Sequence, residues 1–311
     1  MIPYAADMDR CRLRILLSTE YGRRRRYSTV VGSIVCSATR MYWFHTPRCS
    51  GTIGLIKYNP KDMNIFNIHI EFDSKIFCKT VEDYIAKKQK AYVCVVDANV
   101  ITIAQKDLKY REIVKGANIN TCDGSSISKM ANAIYGTSYS AFNGPELFEY
   151  YIERPYKHVL VGNTQKKVDQ IKAKVAEKGL DLDLTHVDVP FVPVDQFDYP
   201  AIAKQINELH PDIVWVSLGA PKQETFIHNI FPCIEQGVLF GIGAAFNFYT
   251  GDLHNNKKEI RGLRFIWLER IFKEPKKQLS RVGKFLLMMP KMYLEEKKRA
   301  KAMKRKMVEC K

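Results

Sequence analysis

The sequence has no Cys-x-x-Cys pair, no paired histidines beside its cysteines, and no apolar run near the ~20 residues that a membrane-spanning helix needs. Its eight cysteines lack paired spacing, which fits reduced thiols in a cytoplasmic protein better than a disulfide frame or a zinc site. The nearest approach to a long apolar run, Ser28–Phe44, is interrupted by Arg40. Arg23–Arg26 precede it, but no small-residue cleavage pattern follows, which argues against a secretion signal. Acids are also in short supply: 33 Asp and Glu against 49 Lys and Arg leave a formal net charge of +16. That excess calls for an anionic partner: nucleic acid, membrane headgroups or a phosphorylated substrate. A basic nucleic-acid-binding protein without catalysis is therefore one reading. It lacks a recognition motif, and the charge gathers at the termini rather than across a reading surface.

With 311 residues, 46% of them hydrophobic, the chain can bury a substantial core as one or two domains. Residues 1–62 carry little periodicity and end in the turn signal Tyr58-Asn59-Pro60-Lys61-Asp62. They read as an N-terminal extension, and a chain starting at Met63 is expected to suffice. From Phe66 to Phe72 apolar and polar residues alternate, as in a half-buried strand, and Phe77, Val81, Tyr84 and Ile85 then suggest a helix. Tyr92–Val96, His158–Val161, Asp212–Leu218 and Val238–Phe240 are short apolar runs of the kind covered on both faces. With helical segments between them, they predict a Rossmann-like α/β fold: a mostly parallel sheet flanked by helices over residues 63–251. A basic helical appendage is expected over residues 252–311.

The stretch from Ala117 to Leu147 reads as strand, tight turn and helix, with Asp123 in the turn ahead of Gly124 and Ser125. In an open α/β sheet such a turn lies at the carboxyl edge, where ligands bind. Asp123 is then either a helix N-cap or a group facing the crevice. Asp97 and Asn99, after the run Tyr92–Val96, admit the same two readings. Gly162-Asn163-Thr164 opens a helix whose first N–H groups either hold a phosphate or are capped by Thr164. Asp181-Leu182-Asp183 spells a metal-binding pattern of sugar-nucleotide transferases, but the imperfect alternation around it suggests an edge strand with its acids toward water, so no metal is expected. Gly219-Ala220-Pro221-Lys222-Gln223-Glu224 follows a strand, with Pro221 suited to a helix start and Lys222 and Gln223 beside the crevice. Gly241-Ile242-Gly243-Ala244-Ala245-Phe246 is no dinucleotide fingerprint, because Phe246 takes the third glycine position. From Asn255 onward, cations interleave with apolar side chains, either as an interfacial element on anionic lipid or as a core helix with a solvated tail.

Asn99-Val100-Ile101, Ala104-Gln105-Lys106-Asp107, Asp123-Gly124-Ser125 and Gly219–Glu224, in this order and spacing, resemble the WecG/TagA/CpsF family of bacterial glycosyltransferases from about Ile65 to Lys277. The resemblance implies inverting transfer of N-acetylmannosamine or a related hexose from a UDP-sugar to a polyprenyl-diphosphate-linked acceptor, in cell-surface polysaccharide synthesis. It implies Asp123 as the base, and substrate contacts from Asn99, Gly124, Ser125, Gly144, Glu146, Gly162, Asn163, Gly219, Lys222, Gln223, Gly243, Asn247 and Arg270. No cofactor is implied. The enzyme would be cytoplasmic and peripheral on the inner face of the membrane, with an anionic membrane surface and not nucleic acid as its partner; a homo-oligomer is left open. Five positions depart from the family pattern: Asp97-Ala98 stand for Thr-Pro, Glu146 for Asp, Ala141 for a basic residue, and Asn247 where relatives often have Asp.

Overall fold

In the computed structural model the described residues are 64–253, 259–260, 263–264 and 274–309. The segment 1–62 and Arg270 lie outside them. The first element differs from the single strand expected over Phe66–Phe72. It is a tight hairpin of β1 (Asn64–Ile65) and β2 (Ile68–His69), turning at Phe66 and Asn67 with φ of 53° and 66°. The two positive φ values are the turn whose twist matches a two-residue hairpin. Phe66, Ile68, Ile70 and Phe72 are buried all the same. The alternation reported burial, which a hairpin and a strand can share.

The continuous apolar runs become parallel strands. β3 (Lys90–Val96), β4 (Ile119–Cys122), β5 (His158–Val161), β6 (Leu184–Val187), β7 (Ile213–Val216) and β8 (Gly237–Gly241) form one sheet in the order β4-β3-β8-β7-β5-β6, all pairs parallel. Parallel neighbours require crossovers, so helices cover both faces. Tyr92, Cys94, Val96, Val214, Val216 and Leu239 face one layer: α2 (Ala98–Lys106), α3 (Leu108–Lys115), α4 (Ser125–Tyr135), α7 (Tyr199–Glu208) and α8 (Lys222–Ile230). The pleat sends Val93, Val95, Leu160, Trp215 and Phe240 to the other: α1 (Ser74–Ala86), α5 (Gly144–Ile152), α6 (Gln165–Glu177) and α9 (Ala245–Tyr249). The α/β sheet expected from the sequence is therefore observed.

Because α4 and α5 lie on opposite faces, the chain between them crosses the carboxyl edge of the sheet, where the Phe142 amide donates to the Cys122 carbonyl at 3.0 Å. This crossing sets Asn143 and Gly144 beside Asp123.

After a two-residue pairing of β9 (Glu259–Ile260) with β10 (Leu263–Arg264), the chain ends in α10 (Pro275–Glu309). One face of α10 is fixed through Met292, Ala300 and Glu296, all buried. Glu296 accepts from the Phe66 amide at 3.0 Å and from the Tyr135 hydroxyl, and pairs with Arg299 at 3.2 Å. Leu279, Leu286, Leu287 and Leu294 stay exposed. Among the described residues no helix is long and apolar enough to cross a membrane.

Candidate active site

The carboxyl ends of β3, β4, β5, β7 and β8 open into a cleft of about 470 Å³, where an open α/β sheet binds its ligands. Asp97 and Asn99 line it after β3, Asp123 after β4, Asn163 after β5, Ser217 and Gly219 after β7, and Gly243 and Asn247 after β8. Asp252, Glu274 and Arg281 complete the wall. Among the described lining residues the positive charge is carried by Arg281, whose guanidinium donates to the Ala220 carbonyl at 3.4 Å.

Asp123 does not cap α4. Gly124 occupies the N-cap position, with φ of 89°, a backbone conformation that a side chain would strain. The Asp123 carboxylate instead accepts from the Gly144 amide at 3.4 Å, and the Gly124 amide donates to the buried side chain of Asn143 at 3.0 Å. The two turns are thus tied in both directions, and Asp123 is directed to the cleft. Asp97 combines both readings, since it caps α2 through the Val100 amide at 2.7 Å and lines the cleft. Thr164 caps α6 through the Lys167 amide at 3.3 Å, while Asn163, at φ of 69°, donates to the Ser217 hydroxyl at 3.2 Å.

Gln223 faces the cleft, but its amide is occupied within the protein. Its Oε1 accepts from the amides of Gly219 (3.0 Å) and Gly243 (2.8 Å), so one side chain ties the turn after β7 to the turn after β8. Its Nε2 donates to Glu224 Oε1 at 2.8 Å. Glu224 is fully buried, and burial pushes its carboxyl up to about 7, with the Asp97 charge adding to the rise.

Three expected contacts are placed elsewhere. Lys222 does not reach the cleft: its ammonium donates to the Val192 carbonyl and lies 4.9 Å from the Phe197 ring centre and 5.2 Å from that of Phe191. The reason is helical phase, because successive residues of α8 point about 100° apart and Gln223 takes the inward direction. Gly162, at φ of 78°, packs beneath Leu218, whose Cδ2 would sit 2.7 Å from an added Cβ. Glu146 lies in the first turn of α5, off the cleft wall. Arg270 falls outside the described residues. Gly124 and Ser125 begin α4 directly after Asp123, and an added Cβ on Gly144 would lie 3.8 Å from Asp123 Oδ2. Asp181 and Asp183 are exposed before the amino end of β6, whereas the cleft lies at the carboxyl end of the strands.

Sequence reasoning passed over Arg281, Asp252 and Glu274. Asp252 is paired with the buried Lys167 of α6, a partner distant in sequence, so local pattern held no signal for it. Arg281 had one: it sits in the amphipathic basic segment that follows Asn255.

Over 196 residues the chain is 24% identical to the N-acetylglucosaminyldiphosphoundecaprenol N-acetyl-beta-D-mannosaminyltransferase of Bacillus subtilis (strain 168), an alignment covering 62% of this chain and 75% of that protein. Residues 63–302, which hold every residue of the cleft, match the Glycosyl transferase WecG/TagA/CpsF family, and the chain belongs to that family.

Proposed function

We propose that the chain transfers N-acetylmannosamine or a related hexose from a UDP-sugar to a polyprenyl-diphosphate-linked N-acetylglucosamine, with inversion, in the synthesis of a cell-surface polysaccharide. The observation that carries this reading is the Asp123 carboxylate, on the cleft wall and not used as a helix cap. Asp123 takes the proton of an acceptor hydroxyl as that oxygen attacks the anomeric carbon. The bond from that carbon to the UDP oxygen breaks, and its electron pair leaves with the diphosphate. General-base assistance of this kind contributes roughly 10²–10⁴-fold.

The departing diphosphate needs positive charge or oriented N–H groups. Arg281 supports that role because it lines the cleft, and Arg270 is a second candidate on the resemblance alone. Lys222 does not supply it, being held on Val192 and its neighbouring rings. Asn163 and Asn247 would bond the nucleoside and Asn99 the sugar or acceptor, roles supported by their positions on the cleft wall.

Residues 63–251 carry Asp123 and most of the cleft, and residues 252–311 add Arg281 and the membrane contact. Leu279, Leu286, Leu287 and Leu294 share one exposed stripe of α10, with Lys284, Lys291 and Lys298 along its flank. Apolar burial and attraction to anionic headgroups act together in such an element, placing the enzyme on the cytoplasmic face of the membrane beside its lipid-linked acceptor. Nothing in the described residues favours the nucleic-acid reading.

Mass spectrometry of products from a panel of UDP-hexoses and a lipid-diphosphate N-acetylglucosamine acceptor tests the proposal. A single added N-acetylhexosamine or hexose is expected, and the absence of product from every UDP-sugar tried would overturn it.

A further inference from the structure

Glu224 has no part in the reaction described above, and its surroundings are costly for a carboxyl group. It is fully buried at the start of α8, within a wall made by α3, β3 and β8. Oε1 accepts from Gln223 Nε2 at 2.8 Å, whereas Oε2 is buried without a hydrogen-bond partner. The hydroxyl of Tyr110 on α3 is also buried without a partner at full hydrogen-bond distance, yet it faces the Glu224 carboxyl closely enough for a weak hydrogen bond to oppose part of the rise that burial causes. Asp97 and Cys94 are the other titratable groups that interact with it. A carboxyl group buried with so little hydrogen bonding is unfavourable, so an acid here calls for a reason beyond packing.

The reason lies one residue away. The two ends of a glutamine amide have nearly the same shape and opposite polarity, so packing alone does not choose which end faces which neighbour. In the observed orientation Oε1 meets two N–H donors, those of Gly219 and Gly243. Reversed, an NH₂ group would meet both donors, and Oε1 would meet the Glu224 carboxyl oxygen. Gly219 and Gly243 both line the cleft, so the orientation of this amide sets the spacing of the two turns between which a ligand must fit.

We infer that Glu224 is a positioning residue, which holds the Gln223 amide in the orientation that ties the turn after β7 to the turn after β8 and so shapes the donor side of the cleft. The inference rests on the proposed sugar-nucleotide chemistry only in naming the donor; the tie itself does not depend on the ligand. Its test has two arms on the full chain. In the first, amide hydrogen exchange is followed in the wild type, Glu224→Leu and Glu224→Gln. Leu removes the acceptor while filling the site, and Gln retains a carbonyl oxygen for Gln223 Nε2. Glu224→Leu is expected to speed exchange at Gly219 and Gly243 at least about tenfold while the central amides of β7 and β8 keep their protection, and Glu224→Gln to restore both. In the second, UDP affinity is measured by calorimetry. A loss of about tenfold is expected in Glu224→Leu, rescue in Glu224→Gln, and no further loss when Glu224→Leu is added to Gln223→Met. Unchanged exchange at the two glycines, or faster exchange across the whole sheet alike, would overturn the inference. A wild-type protein that does not bind UDP would remove the donor assignment, while the exchange arm would still decide the role of Glu224.

Discussion

The Gly144 amide donates to Asp123 Oδ1 at 3.4 Å, and that contact joins the start of α5 to the turn after β4 across the edge of the sheet. Asn143 makes the return tie, accepting from the Gly124 amide at 3.0 Å. Both follow from α4 and α5 packing on opposite faces, which forces the chain over the cleft. Asn143→Ala should therefore cost about 1–3 kcal/mol of stability, from the unsatisfied Gly124 amide. It should also lower kcat more than it raises the donor KM, because Asp123 loses its alignment and not its charge. Denaturant unfolding and steady-state kinetics on one preparation check both.

Arg281 extends from α10 to the cleft at the Ala220 carbonyl. Arg281→Ala should weaken UDP binding and reduce kcat by about tenfold or more, while Arg281→Lys recovers only part, since an ammonium supplies a charge without the planar fork. Calorimetry with UDP and initial rates with the donor measure this, and an Ala variant with wild-type values would remove Arg281 from the site.

Two buried groups give opposite pH dependences. Glu224 is raised by burial from 4.5 to about 7, so its contribution to stability is fully present below pH 4.5 and lost as pH rises through 7, by roughly 3 kcal/mol. His158 is lowered by burial from 6.5 to about 4, although its bond to the Arg154 carbonyl opposes the change; its contribution is present above pH 6.5 and lost as pH falls through 4, by a similar amount. Trp215 Nε1 donates to His158 Nδ1 at 3.2 Å, so the neutral ring carries its proton on Nε2. Between pH 4.5 and 6.5 the two slopes cancel in the wild type. Urea unfolding across pH 4–7.5 should show stability rising with pH in Glu224→Gln and falling with pH in His158→Gln.

The sheet was legible because its strands are buried on both faces and need no partner to be recognised: Tyr92–Val96 and Ile213–Val216 read as strands from apolar content alone. Asp123, Asn99 and Asn163 were legible for a related reason, since they follow such runs directly and the carboxyl end of a parallel strand is where the cleft must open. What failed depended on direction. Lys222 and Gln223 are neighbours in sequence, yet only the phase of α8 against the sheet decides which one turns inward. The phase was available in Phe226, Ile227 and Ile230, whose spacing places Gln223 and Glu224 on the buried face. Phe66 and Asn67 were misread because alternation records which side chains are buried and not which amides pair.

The exposed leucines of α10 provide a test that leaves the cleft untouched. Leu287→Glu with Leu294→Glu should reduce sedimentation with anionic phosphatidylglycerol vesicles severalfold while preserving turnover of a short-chain, water-soluble acceptor. Neither side chain packs on the body, so the melting temperature should hold. Vesicle binding equal to wild type would remove α10 from the membrane contact.

The central claim is that the Asp123 carboxylate takes the acceptor proton. The most direct measurement is the single-turnover rate of Asp123→Asn, with UDP binding measured on the same protein. The variant is expected to fold, to bind UDP as the wild type does and to transfer sugar at least about 10²-fold more slowly. A transfer rate within a few fold of wild type would contradict it.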